Sequence, residues 1–90
     1  MELTSSIYYN PLVESCKHGD SRSYSALYQQ YSKAMFSTCF RLLNSYSEAE
    51  DVLQEAFTDA FHHLHAFEYK SSFGAWLKQI VINKCITHLR

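Results

Sequence analysis

Three stretches of the chain repeat an apolar residue every three or four positions, the period of a helix with one buried face. Over residues 21–43 the series is Tyr24, Leu27, Tyr28, Tyr31, Met35, Cys39 and Leu42. From Ser47 to about Ala66 it is Ala49, Val52, Leu53, Ala56, Phe57, Ala60, Phe61 and Leu64. A last series begins at Phe73 and continues through Trp76, Leu77, Ile80 and Val81. With a short helix before them, these segments predict four helices and no strand, an all-α fold.

Capping residues punctuate the pattern. Asn10-Pro11 suits a helix start, with Asn10 as N-cap and Pro11 at the first helical position. Gly19 can take the left-handed conformation that ends this short helix, and Asp20 can cap the next. Asn44 or Ser45 can break the second helix. Ser47 and Glu50 have the spacing of a capping box, worth ~1 kcal/mol at the start of the third. Residues 67–72 form a loop, and Ser71 or Ser72 can cap the fourth helix. Residues 1–9 lack a strong period and are expected to fray.

Ninety residues allow one small domain. A hydrophobic content of 47% argues against disorder. The apolar runs are too short to span a membrane, and the first residues lack the basic and apolar stretches of a signal peptide. The expected location is therefore the cytoplasm. Cys16, Cys39 and Cys85 are widely spaced, with no C-x-x-C pair, so they read as reduced, mostly buried thiols.

Charge is divided along the chain. Through residue 60 eight acids face four bases; from residue 61 Lys70, Lys78, Lys84 and Arg90 face only Glu68. Any nucleic-acid contact therefore belongs to the last third, while the acidic part suits a basic protein partner.

Three groups of residues follow from this division. Asp51, Gln54, Glu55 and Thr58 share one helix surface, where carboxylates can accept paired hydrogen bonds from a partner's arginines; taken alone, such a face is more often merely solvated. The loop Phe67-Glu68-Tyr69-Lys70-Ser71-Ser72-Phe73 mixes rings, hydroxyls and a lysine, a combination suited to unstacked bases and phosphate. Phe67 and Phe73 read as core anchors, which leaves Tyr69, Lys70, Ser71 and Ser72 as contacts. On the last helix, the Asn83 amide can pair with a base edge. Lys78, Lys84, His88 and Arg90 can meet phosphate. His62 and His65 have metal-ligand spacing but no third ligand at hand, so no metal is assigned. No glycine-rich phosphate loop, paired nucleophile and base, or H-E-x-x-H motif occurs, so neither a catalytic residue nor a cofactor is assigned.

The run AEDVLQEAF at residues 49–57, then F-x-Y-K-x-S-F, W-L-x-x-I-x-x-N and a final H-L-R resemble the extracytoplasmic-function branch of the sigma-70 family, in its region 2 domain. The resemblance covers nearly the whole chain and implies the same four helices, packed as a compact bundle. It implies that Asp51, Gln54, Glu55 and Thr58 dock on the clamp helices of the large subunit of core RNA polymerase. It further implies that the loop and Asn83 capture a base flipped from the non-template strand of the minus-ten promoter element. An anti-sigma factor is a further partner open to such a domain. Glu68 and Gln79 stand where relatives often carry arginine, which weakens the expected backbone grip. Relatives continue into a second helical domain, region 4, that reads the minus-thirty-five element. This chain stops at Arg90 without it, so an isolated domain is expected. The rival reading is a helical protein-interaction module with no DNA role, in which the aromatics are only core.

Overall fold

The computed structural model describes residues 7–90. The part of the fraying expectation that concerns residues 1–6 lies outside the described residues. Helix α1, Pro11–Lys17, begins as its sequence directs: the Asn10 side chain accepts from the N–H groups of Leu12 and Val13, at 2.9 and 3.4 Å. Gly19 turns the chain at a φ of 91°, left-handed backbone that only glycine adopts cheaply. Asp20 then caps α2, Ser21–Leu43, by accepting from the Arg22 N–H at 2.9 Å. That bond, ahead of the Arg22 charge, holds the Asp20 carboxyl below its usual range.

Asn44 ends α2 in left-handed backbone, φ 56°, and its N–H closes on the Phe40 carbonyl at 2.8 Å. Helix α3 runs Tyr46–His62. Its cap corrects the expectation: Ser45, not Ser47, accepts from the Glu48 N–H at 3.3 Å. Ser45 and Glu48 carry the same serine-to-glutamate spacing two residues earlier. Because Asn44 already reverses the chain, the helix starts at the first position available. The Glu48 carboxylate does not complete a box, since it accepts from His88 instead.

Helix α3 also stops short of Ala66. His63 leaves helical geometry, and the chain tightens into a 3-10 turn, Leu64–Ala66. The His63 N–H is shared between the carbonyls of Asp59 and Ala60, and its ring bonds the Asp59 carbonyl at 2.9 Å. The tighter turn keeps Leu64 buried and delivers Phe67 into the core. Ser72 caps α4, Phe73–Leu89, by accepting from the Ala75 N–H at 3.1 Å.

Helices α2, α3 and α4 pack on one another around a single core, and α1 lies mainly along α2. Leu27, Val52, Phe57, Phe67, Phe73, Leu77 and Val81 are all fully enclosed. Each such side chain stabilises the fold by about 1.5–3 kcal/mol. Two stripes need adjustment. On α2, Leu43 is buried and Leu42 faces out, while Tyr24 is exposed at the edge, its ring stacked on Phe61 at 4.3 Å. On α4, Trp76 and Ile80 are only half-buried at the rim, and Cys85 takes the deep position one turn after Val81. Gly74 allows α4 to approach α2 closely, since a Cβ there would stand 3.0 Å from the Tyr31 ring.

Cys39 of α2 and Cys85 of α4 are both fully buried. Burial, then the neighbouring Cys85 thiol, push the Cys39 thiol up to about 12. Cys16 is half-exposed, and its thiol is also raised, chiefly by burial. Thiols so disposed are poor nucleophiles at neutral pH. No strand occurs among the described residues, and none of their helices is long and apolar enough to cross a membrane.

Candidate nucleic-acid interface and the acidic face of α3

The core of α3 is made by Ala49, Val52, Leu53, Ala56, Phe57 and Ala60, which leaves Asp51, Gln54, Glu55 and Thr58 in solvent. The four lie together, as their spacing predicts. Gln54 is not free: its amide nitrogen donates to the Tyr28 hydroxyl at 3.0 Å. Beside this face is a cleft of about 330 Å³, walled by Tyr28, Phe36 and Tyr46 and rimmed by Glu50, Asp51 and Gln54. Phe36 and Tyr46 pack ring against ring at 5.0 Å. Sequence reasoning missed these aromatics. The available signal was that Phe36 and Tyr46 are large rings lying off every apolar stripe.

The loop is anchored at both ends. Phe67 and Phe73 are each 2% exposed, with ring centres 5.8 Å apart, and Trp76 packs against both. Between them Tyr69 turns inward. Its φ is 59°, and its hydroxyl donates to Glu14 Oε2 at 2.5 Å. Burial, then this carboxylate, raise the Tyr69 phenol well above its ordinary value. The same bond is the first cause that lowers Glu14. Lys70 points into solvent, 3.4 Å from Glu68. The Ser71 hydroxyl donates to the Ser72 carbonyl at 3.1 Å, and Ser72 is exposed while its oxygen caps α4. Of the four loop residues expected to meet DNA, Lys70 and Ser72 are therefore outermost. Tyr69 is engaged inside the protein.

On α4 the candidates separate by face. Ser72, Gln79, Asn83 and Arg90 are exposed, and their spacings of seven, four and seven residues keep them in one row along the helix. Gln79 Nε2 donates to Asn83 Oδ1 at 3.1 Å, which leaves the asparagine's own NH₂ available as a donor beside a cleft lined by Asp59, Ile80, Lys84 and Thr87. Lys84 and His88 lie on the flank toward α3. Lys84 Nζ is 3.0 Å from Asp59, and His88 Nε2 is 2.7 Å from Glu48. Lys78 lies on the other flank, beside Thr38, Arg41 and Leu42 of α2. The structure thus gathers Ser72, Asn83 and Arg90 and sets Lys78, Lys84 and His88 to either side. Glu14 and Lys17, which grip the loop from α1, were invisible to sequence reasoning. They lie about fifty residues away, and nothing local marks them.

Fold and surface define a small all-helical recognition domain, with an acidic face on α3 and a polar row leading from a capped loop down α4. The chain belongs to the sigma-70 region 2 family, whose model matches residues 27–90. It is 31% identical over 78 residues to the ECF RNA polymerase sigma factor SigW of Bacillus subtilis, covering 87% of this chain and 42% of that protein. It is 37% identical to the RNA polymerase sigma-H factor of Pseudomonas aeruginosa and 33% identical to the ECF RNA polymerase sigma-E factor of Escherichia coli; each match covers 87% of this chain and 40% of the relative. The chain thus spans about two fifths of the length of these relatives. Its fold superposes with a TM-score of 0.81 and 30% identity on an engineered region 2 of sigmaE, solved in complex with GTAAAA; 94% of this chain and 90% of that one are covered.

Proposed function

We propose that this domain docks on core RNA polymerase through Asp51, Gln54, Glu55 and Thr58 and holds the opened non-template strand of a minus-ten element along the loop and α4. One observation carries the reading: the exposed row Ser72, Gln79, Asn83, Arg90 lies on the fold that, in its sigmaE counterpart, was solved with a short DNA strand. From Ser72 to Asn83 is about 16 Å along the helix axis. That is the rise of about five stacked nucleotides, close to a hexanucleotide element. Melting requires no bond chemistry. Capturing a flipped base returns the few kcal/mol that extrusion costs, and Lys70 and Arg90 add phosphate contacts. The domain works where RNA polymerase does, in the bacterial cytoplasm.

The test is fluorescence anisotropy with single-stranded GTAAAA, a scrambled hexamer and the corresponding duplex, alongside pull-down of core polymerase. Preference for one single-stranded sequence together with polymerase capture supports the reading. Polymerase capture without any strand preference would leave only the protein-interaction module.

A further inference from the structure

The loop before α4 is tied to the first helix of the chain. Lys17 Nζ donates to the Phe67 carbonyl at 2.7 Å. The same ammonium stands 4.9 Å from the centre of the Tyr69 ring. The Tyr69 hydroxyl donates to Glu14 Oε2 at 2.5 Å, with the Asn10 carbonyl 3.5 Å away. Phe67 and Tyr9 pack against the ring at 4.8 and 5.3 Å. Glu14 and Lys17 also pair with each other at 3.7 Å.

These contacts surround a residue in an unfavourable backbone state. Tyr69 has a φ of 59°, in the left-handed region that disfavours every side chain bearing a Cβ. A non-glycine residue persists there when its surroundings over-determine it. Here they do, and the result is directional. With Tyr69 turned in, Lys70 and Ser72 are turned out, at the head of the exposed row on α4.

We propose that α1 is part of the strand-reading device: Glu14 and Lys17 latch the loop, and Tyr69 is a positioning residue that sets the path of Lys70, Ser71 and Ser72 before DNA arrives. This rests on the loop and α4 being the DNA surface. Its physical effect is preorganisation. A loop already held in its binding path loses little freedom when the strand binds, so more of the contact energy appears as affinity. Tyr69 then contributes without touching a base.

A double-mutant cycle tests the latch with the single-stranded hexamer that the wild type binds best. Tyr69→Phe keeps the ring and removes the hydroxyl, while Glu14→Ala removes the acceptor. Each single variant is expected to weaken binding about tenfold, the equivalent of ~1.4 kcal/mol. The double variant should be no weaker than either single one, because both remove the same bond. The sign of the Glu14→Ala effect is diagnostic. Removing a negative charge near a phosphate strand should by Coulomb attraction alone tighten binding, so weakening can arise only through the loop. Glu14→Gln keeps an acceptor oxygen and should restore most of the affinity.

Binding by Glu14→Ala equal to or tighter than wild type overturns the latch, and so do additive losses in the cycle, which would make Tyr69 a direct DNA contact. Amide spectra without DNA supply a second readout: residues 68–72 should shift in both single variants while the core resonances hold. If the wild type binds no hexamer, the DNA reading fails. The latch as a loop-setting device then stands or falls on those amide shifts, and unchanged shifts overturn it.

Discussion

Replacing Asn83 by alanine isolates the proposed base-edge contact from everything else on α4. The residue is exposed in mid-helix, and among the described residues its side chain hydrogen-bonds the Gln79 amide at 3.1 Å. Alanine is the better helix former by up to ~0.7 kcal/mol, which offsets the loss of one solvent-exposed bond. Stability should therefore stay within about 0.5 kcal/mol of wild type. Binding should not. A good base-edge pair is worth ~1–3 kcal/mol, so affinity for the preferred single-stranded hexamer should fall roughly 5- to 150-fold. Because the flipped base exists only after melting, Asn83→Ala in complex with polymerase should impair opening of promoter DNA more than docking on the duplex. Gln79→Ala provides the internal comparison. It frees Asn83 without deleting it and removes only an orienting bond of ~0.5–1.5 kcal/mol, so its loss should be the smaller. The assays are hexamer anisotropy, a circular-dichroism melt and permanganate reactivity of promoter thymines. Normal opening and unchanged sequence preference in Asn83→Ala would refute the argument and move the base pocket to Ser71 and Ser72.

The other predictions are simpler. Reversing the charge of both Asp51 and Glu55 to lysine should abolish capture of core polymerase in pull-downs with an unchanged circular-dichroism spectrum, since both side chains lie off the core. Lys70→Ala should weaken binding to all single-stranded sequences alike and reduce the salt slope by about 0.7, one phosphate contact on a single strand. The Glu14 carboxyl, lowered first by the Tyr69 hydroxyl, should titrate below the ordinary range by carbon-detected NMR and move back toward it in Tyr69→Phe. The sign follows: a depressed carboxyl stabilises the fold above its unfolded pKa, and that contribution is lost as pH falls through the lowered folded value. Acid should therefore loosen the latch, and Tyr69→Phe should show a flatter acid limb in its melting temperature.

What could be read from the sequence was local. The helical periods, Asn10, Gly19, Asp20 and the break at Asn44 each act within a few residues, and the structure matches them closely. The misplaced cap at Ser45 arose because two serine-to-glutamate spacings overlap, and only the reversal at Asn44 decides between them. The early stop of α3 answers to the burial of Phe67, a tertiary demand that periodicity does not carry. Trp76 kept its place in the α4 stripe but proved half-buried, because a stripe position records direction and not depth. On the candidate surfaces, helix spacing was enough to group Asp51 with Glu55. It was not enough to reveal that Lys84 and His88 face acids on α3, or that Tyr69 is held by α1. Those partners lie tens of residues away and meet only in the folded chain.

The pairing of Lys84 with Asp59 and of Lys70 with Glu68 has a kinetic consequence. Much of the positive charge in the last third of the chain is answered by acids of the same domain. Lys78 and Arg90 make no ion pair among the described residues, and they lie on different faces of α4. Such a surface throws little field beyond a Debye length of about 8 Å. Its encounter with DNA should therefore resemble that of unsteered partners, near 10⁵–10⁶ M⁻¹s⁻¹ at most. Under the proposed function, attachment to a polymerase already on DNA would replace that slow search with an effective concentration in the millimolar range. A domain that searches poorly alone would then engage a strand chiefly where the enzyme has brought it.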